Sequence, residues 1–143
     1  MDELLARGVV DLAKNDGSTP LFIAAQEGHH EVVAALIAAR ANVDQANNNG
    51  ATPLFMAVQN GHHEVVAALT AARANVNLAW NGQTPLYKAA SKGHVEIVRL
   101  LVRAGADTTL ASPMGLPIDN ICKAPGADEA NEAEIKAILL SAA

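Results

Sequence analysis

The chain has 143 residues, half of them hydrophobic by count, yet only 3% are aromatic and the formal net charge is −5. That length suits a single domain, whose interior must come from many small side chains in close contact. The acidic balance excludes a nucleic-acid backbone as a natural partner, because phosphate binding needs a basic face.

From the N-terminus, "MDELLARGVV" has an early acidic pair and no apolar run long enough for a secretory leader. The apolar stretch Val32–Ala39 stops at Arg40, far short of a bilayer span. Cys122 is the only cysteine and cannot form an internal disulfide, which fits a reducing compartment. A soluble, cytoplasmic, monomeric protein without a membrane partner is expected.

Gly17, Gly50, Gly82 and Gly115 open successive units of similar wording. "GHHEVVAAL" stands at 28–36 and again at 61–69, and "GHVEIVRLL" follows at 93–101. A fixed period in this range predicts a solenoid of stacked units. In each unit a Thr-Pro pair (Thr19-Pro20, Thr52-Pro53, Thr84-Pro85) predicts a helix start. The Thr hydroxyl can accept from free N–H groups there, and Pro lacks the N–H that would go unpaired. Gly28, Gly61 and Gly93 predict the stops, since glycine accepts the left-handed terminal conformation. A second helix follows, with Val32, Val33, Leu36 and Ile37 on one side in the first copy. Neither helix is long enough to persist alone, so stacking must supply the stability. The polar segments "NVDQANNNG" and "NVNLAWNG" predict β-hairpin-like fingers joining one unit to the next.

The pattern "GxTPLxxAxxxGHxEVVxxL", followed by "ANVDQA" or "GADTTLA", closely resembles the ankyrin repeat over essentially the whole chain. The resemblance implies an all-α repeat solenoid of helix-turn-helix units joined by β-hairpin-like fingers. One domain spans 1–143: a half-repeat cap at 1–16, full repeats at 17–49, 50–81 and 82–114, and a degenerate capping repeat at 115–143. In the cap, Asn131 and Glu134 have capping-box spacing and predict a last helix starting near Asn131, with Asp128, Glu129, Glu132 and Glu134 favouring its N-terminus.

Three departures from the family pattern stand out. Phe22, Phe55 and Tyr87 occupy the position where the family usually has His, either as a hydrophobic ladder between units or as a row of rings facing a ligand. Arg40 and Arg73 replace the Gly that survives as Gly105; a left-handed backbone at those positions would cost on the order of 1 kcal/mol relative to Gly. The unit from Gly50 is one residue short within its finger, where Trp80 sits, either covering the neighbouring finger or anchoring a partner.

No catalytic constellation emerges. Equivalent positions on stacked helices lie about 8–10 Å apart, whereas zinc–nitrogen bonds are about 2.0–2.1 Å, so His29, His62 and His94 are not expected to share a metal ion. The resemblance implies a structural role for these three, with His30 and His63 facing solvent. Cys122 falls where the family carries a small core residue, and no Gly-rich phosphate loop occurs. No enzyme activity, metal or cofactor is expected.

The resemblance implies a non-catalytic protein–protein interaction module that binds an unidentified protein or peptide on a concave face. Its finger tips correspond to Asn15, Asp16, Ser18, Asn48, Asn49, Ala51, Trp80, Asn81, Gln83 and Met114. Its first helices correspond to Ile23, Gln26, Glu27, Met56, Gln59, Asn60, Lys88, Ser91 and Lys92. These positions vary between copies while the framework barely changes, and their charge runs from acidic through apolar to basic. A partner apolar at its centre and acidic toward the C-terminal end would suit them. A structural fragment of a larger ankyrin protein, an engineered binder or scaffold, and an enzyme are the other readings.

Overall fold

The computed structural model describes residues 10–108 and 129–142. Each of the three full units contributes two helices: α1 (Pro20–Glu27) and α2 (His30–Ala38), α3 (Pro53–Gln59) and α4 (His63–Ala71), α5 (Pro85–Lys92) and α6 (Val95–Arg103). The chain's last described element is α7 (Glu129–Ala142).

The helix starts follow the local chemistry. Thr19, Thr52 and Thr84 are extended, and each hydroxyl accepts from the N–H three residues on, at Phe22, Phe55 and Tyr87, each at 3.1 Å. The stops are equally regular. After α2 the Arg40 N–H donates to Ile37 O and the Ala41 N–H to Leu36 O, a left-handed cap in which two otherwise orphan carbonyls are satisfied. The same pair of bonds recurs at Arg73 and Ala74, and at Gly105 and Ala106. Arg40 (φ 66°) and Arg73 (φ 65°) are indeed left-handed, as Gly105 is at 89°.

First helices pack on first helices (α1 on α3, α3 on α5) and second on second (α2 on α4, α4 on α6), while each first helix also packs on its own partner. None exceeds 9 residues, below the roughly 12–15 at which an isolated helix becomes marginal. The rows are held by a continuous core. Leu21, Leu54 and Leu86 repeat at one position, and Leu36, Leu69 and Leu101 at another, all buried. Burying one such side chain fully contributes about 1.5–3 kcal/mol. Between them lie Ala24, Ala25, Ala57, Ala89 and Ala90, also buried, which let the helix backbones approach closely. Phe22 and Phe55 are buried and Tyr87 half-buried, so this column is a packing ladder rather than a row of exposed rings.

The last helix departs from expectation. It begins at Glu129, so Asn131 lies within its first turn and is not a cap, which requires a non-helical backbone. Glu134 does not reach back to a cap either: it pairs with Arg99 on α6, and Arg99 also reaches Glu96 at 3.3 Å. Ile135 and Leu139 are fully buried in the shared core, where α7 packs against α6. The cap's Cys122, Asp128 and the connection before α7 lie outside the described residues.

Candidate functional site

Among the described residues three fingers follow one another, and their turns differ. In the first two, a loop closes from Lys14 N–H to Ser18 O and from Asn47 N–H to Ala51 O, each at 2.9 Å. Inside each loop the Gly N–H donates back, Gly17 to Lys14 O at 2.9 Å and Gly50 to Asn47 O at 3.0 Å. The third finger, one residue shorter, pairs Trp80 and Gln83 directly, through Trp80 N–H to Gln83 O at 2.9 Å and Gln83 N–H to Trp80 O at 3.0 Å. Its central residues Asn81 (φ 53°) and Gly82 (φ 75°) are both left-handed, the signature of a type I′ turn, for which Asn-Gly is the favoured pair. The deletion thus converts a wide loop into a tight hairpin.

The tips are tied to one another. The Asn48 N–H donates to Asp16 O at 2.9 Å and its side-chain amide to Asn15 O at 3.1 Å. Trp80 Nε1–H donates to Asn49 O at 3.0 Å, and the indole meets the Phe55 ring edge-on at 5.3 Å. Trp80 therefore covers the neighbouring finger, a geometry worth about 0.5–1.5 kcal/mol beyond the buried area. In the first tip the Ser18 N–H donates to Asp16 Oδ1 at 2.9 Å, and this bond is the main cause holding the Asp16 carboxyl below its ordinary pKa.

Below the tips runs a second ladder that the sequence reading missed. Asp11 Oδ1 accepts the Asn42 N–H (3.0 Å), Asp44 Oδ1 the Asn75 N–H (2.9 Å), and Asn77 Oδ1 the Asp107 N–H (2.9 Å). Asn42 and Asn75 in turn accept from the N–H groups of Asp44 and Asn77, which aims those acceptors at the next unit. The signal was available, since Asp11, Asp44 and Asn77 recur at the unit period.

The histidines divide by position. His62 sits over Gly28 with Nε2 3.0 Å from Gln26 O, which also accepts from the Asn60 amide. His94 sits over Gly61 in the same register, but its Nε2 is buried and makes no hydrogen bond. Burial holds the His94 imidazole below its ordinary pKa; the nearby Gln59 carbonyl favours the proton without reaching bonding geometry, and Lys92 disfavours it. His29 is exposed, as are His30 and His63. His30 is not free, for its Nδ1 lies 2.9 Å from Glu64 Oε2. Among the described residues no three His, Cys, Asp or Glu side chains are grouped so as to hold a metal ion.

The anticipated lining falls into three groups. Asn15, Asp16, Asn48, Asn49 and Asn81 are exposed on the tips, and Glu27, Asn60 and Lys92 on the first helices. Trp80 and Gln83 are half-buried, and so are Ile23, Gln26, Met56, Gln59, Lys88 and Ser91. Ser18 and Ala51 are buried at the finger bases and present no surface, and Met114 lies outside the described residues. Lys88 and Lys92 make no ion pair among the described residues. Ile23 also lines an apolar hollow of about 400 Å³ with Leu12, Pro20 and Val32 at the N-terminal end. No helix among the described residues is long and apolar enough to cross a membrane.

A family model described as ankyrin repeats (3 copies) matches residues 1–79 and again 40–112. No curated protein matches the chain.

Proposed function

The chain belongs to the ankyrin-repeat family, whose members are generally protein–protein interaction modules, and from that premise we propose that it is a non-catalytic module binding a protein or peptide. Binding takes place on the concave face lined by the finger tips and first helices. The observation that carries this reading is the gradient along equivalent positions of the first-helix row. Ile23, Met56 and Lys88 succeed one another at one position, and Glu27, Asn60 and Lys92 at the next. Packing demands none of these changes, because the Leu and Ala positions beneath them stay buried and nearly constant. The fitting partner is apolar at its centre and acidic where it meets the third unit. Ser18 and Ala51 drop out of this surface because they are buried, and Trp80 serves it chiefly by holding the tight finger against Asn49.

The test is a selection of peptides from a displayed random library on the whole chain. The selected peptides should be enriched in acidic residues beside apolar ones. They should lose about tenfold or more in affinity for Lys88→Glu/Lys92→Glu, since like charges brought together are strongly penalised. Arg103→Glu, an exposed charge reversal on the second-helix row, should leave them unchanged. Peptides insensitive to the first change, or equally sensitive to the second, would place the binding surface elsewhere.

A further inference from the structure

Three Asn-Gly pairs occur in the described residues, at 49–50, 60–61 and 81–82. Such pairs are chemically labile. The glycine nitrogen attacks the asparagine Cγ, an N–Cγ bond forms, the Cγ–Nδ2 bond breaks, and the displaced proton leaves with ammonia. Water then opens the five-membered succinimide at either carbonyl, leaving an aspartyl or an isoaspartyl residue. The step needs no co-reactant beyond water, but it needs a glycine N–H and an asparagine amide that are both free to move.

The three pairs differ in that respect. The Gly61 N–H donates to Val58 O at 3.2 Å in the left-handed cap of α3, and the Asn60 amide is held on Gln26 O at 3.0 Å. The Gly50 N–H donates to Asn47 O at 3.0 Å, as its counterpart Gly17 does to Lys14 O. In the shortened finger the corresponding bond, to the carbonyl three residues back, is made by the Gln83 N–H to Trp80 O at 3.0 Å, so the glycine is no longer its donor. The Trp80–Gln83 pair closes the hairpin outside the turn, and neither the Gly82 N–H nor the Asn81 amide has a hydrogen bond among the described residues. Both residues are exposed.

We propose that Asn81 is a site of spontaneous deamidation, created by the one-residue deletion that released the Gly82 N–H. Its isoaspartyl product carries one extra methylene in the main chain of a turn with only two central residues. That insertion cannot keep the Trp80–Gln83 pairing, so it loosens the indole from Asn49 and Phe55. The product is also a methyl acceptor of the class recognised by isoaspartyl-directed methyltransferases that use S-adenosylmethionine, and it places a new carboxylate on the third finger tip.

The experiment is peptide mapping by mass spectrometry of the full chain incubated at mildly alkaline pH, once folded and once in denaturant. In denaturant the three pairs should react at similar rates. In the folded chain Asn81 should lead, Asn49 should lag by about fivefold, the equilibrium worth of one net hydrogen bond, and Asn60, held at both groups, should be slowest. Methyl incorporation by an isoaspartyl methyltransferase should rise in step, fall in Asn81→Gln to the residual contributed by Asn49 and Asn60, and be accompanied by a change in Trp80 fluorescence. Deamidation of Asn49 or Asn60 as fast as that of Asn81 in the folded chain would overturn the proposal, as would an Asn81 inert when folded.

Discussion

The first two units and the third reach the same backbone by different means. Units one and two end their second helices on Arg40 and Arg73, both left-handed, and build α2 and α4 largely from Val and Ala. The third ends on Gly105, carries Ile97, Leu100, Leu101 and Val102 on α6, and is covered by α7 through Ile135, Leu139 and the Arg99–Glu134 pair. Strain persists where its surroundings over-determine it, and here the paired cap bonds and the buried Ala41 and Ala74 do so. In a linear stack, stability is approximately a sum of unit and interface contributions. The difference therefore concentrates weakness toward the N-terminal end and anchors the array at its third unit.

The largest expected effect contrasts two glycines with the same backbone and different neighbours. Gly28 (φ 81°) lies under His62, and a Cβ there would stand 2.6 Å from His62 Nδ1. Gly93 (φ 75°) has the same left-handed strain with nothing within 4 Å of its Cβ position among the described residues. Gly93→Ala should cost about 1–2 kcal/mol, the left-handed penalty alone. Gly28→Ala should cost roughly 3 kcal/mol, because the ring must also shift and give up Gln26 O. Equal shifts in denaturant midpoint would mean that the His62 column does not join units one and two as described.

Next comes relief of strain in the weaker units. Arg40→Gly and Arg73→Gly should each stabilise the chain by about 1 kcal/mol, the left-handed penalty less the extra freedom glycine brings to the unfolded chain. The two sites lie in different units and share no partner in the cap bonds, so the gains should add. A double variant no more stable than the parent would show that the arginine side chains compensate for their backbone.

Much of this was legible in the sequence because it is local. Thr-Pro writes a helix start within three residues, and the hydroxyl bonds at Thr19, Thr52 and Thr84 followed. The left-handed arginines were readable as substitutions where the family pattern has the Gly that survives here as Gly105. What escaped depends on neighbouring units. Asn131 and Glu134 had capping-box spacing, but Glu134 is taken by Arg99 across the α6–α7 interface, and no local pattern announces that competition. Ser18 and Ala51 were placed on the partner face by repeat register, yet finger closure buries them. Of the two roles left open for Trp80, the covering one became visible only once Asn49 and Phe55 were seen beside it.

The smallest expected effect separates the two structural histidines. His62 has the Gln26 carbonyl as partner, whereas His94, in the third unit, is buried at Nε2 without one, and burial lowers its pKa in the folded chain. A histidine whose folded pKa lies below its unfolded value of about 6.5 binds fewer protons when folded, so stability rises with pH across the interval between the two values. The neutral ring is therefore tolerated above about pH 6.5, and protonation destabilises the chain as pH falls below that value toward the depressed one. His94→Gln removes the titration while keeping a polar side chain. The variant should gain on the parent progressively as pH is lowered through this window, with the difference between their melting temperatures constant above it. The groups that act on the His94 ring are the Gln59 backbone and Lys92, both common to parent and variant, so the change in that difference reports on the imidazole itself. A parent–variant difference that does not move with pH would mean that His94 is solvated enough to titrate alike in the folded and unfolded chain.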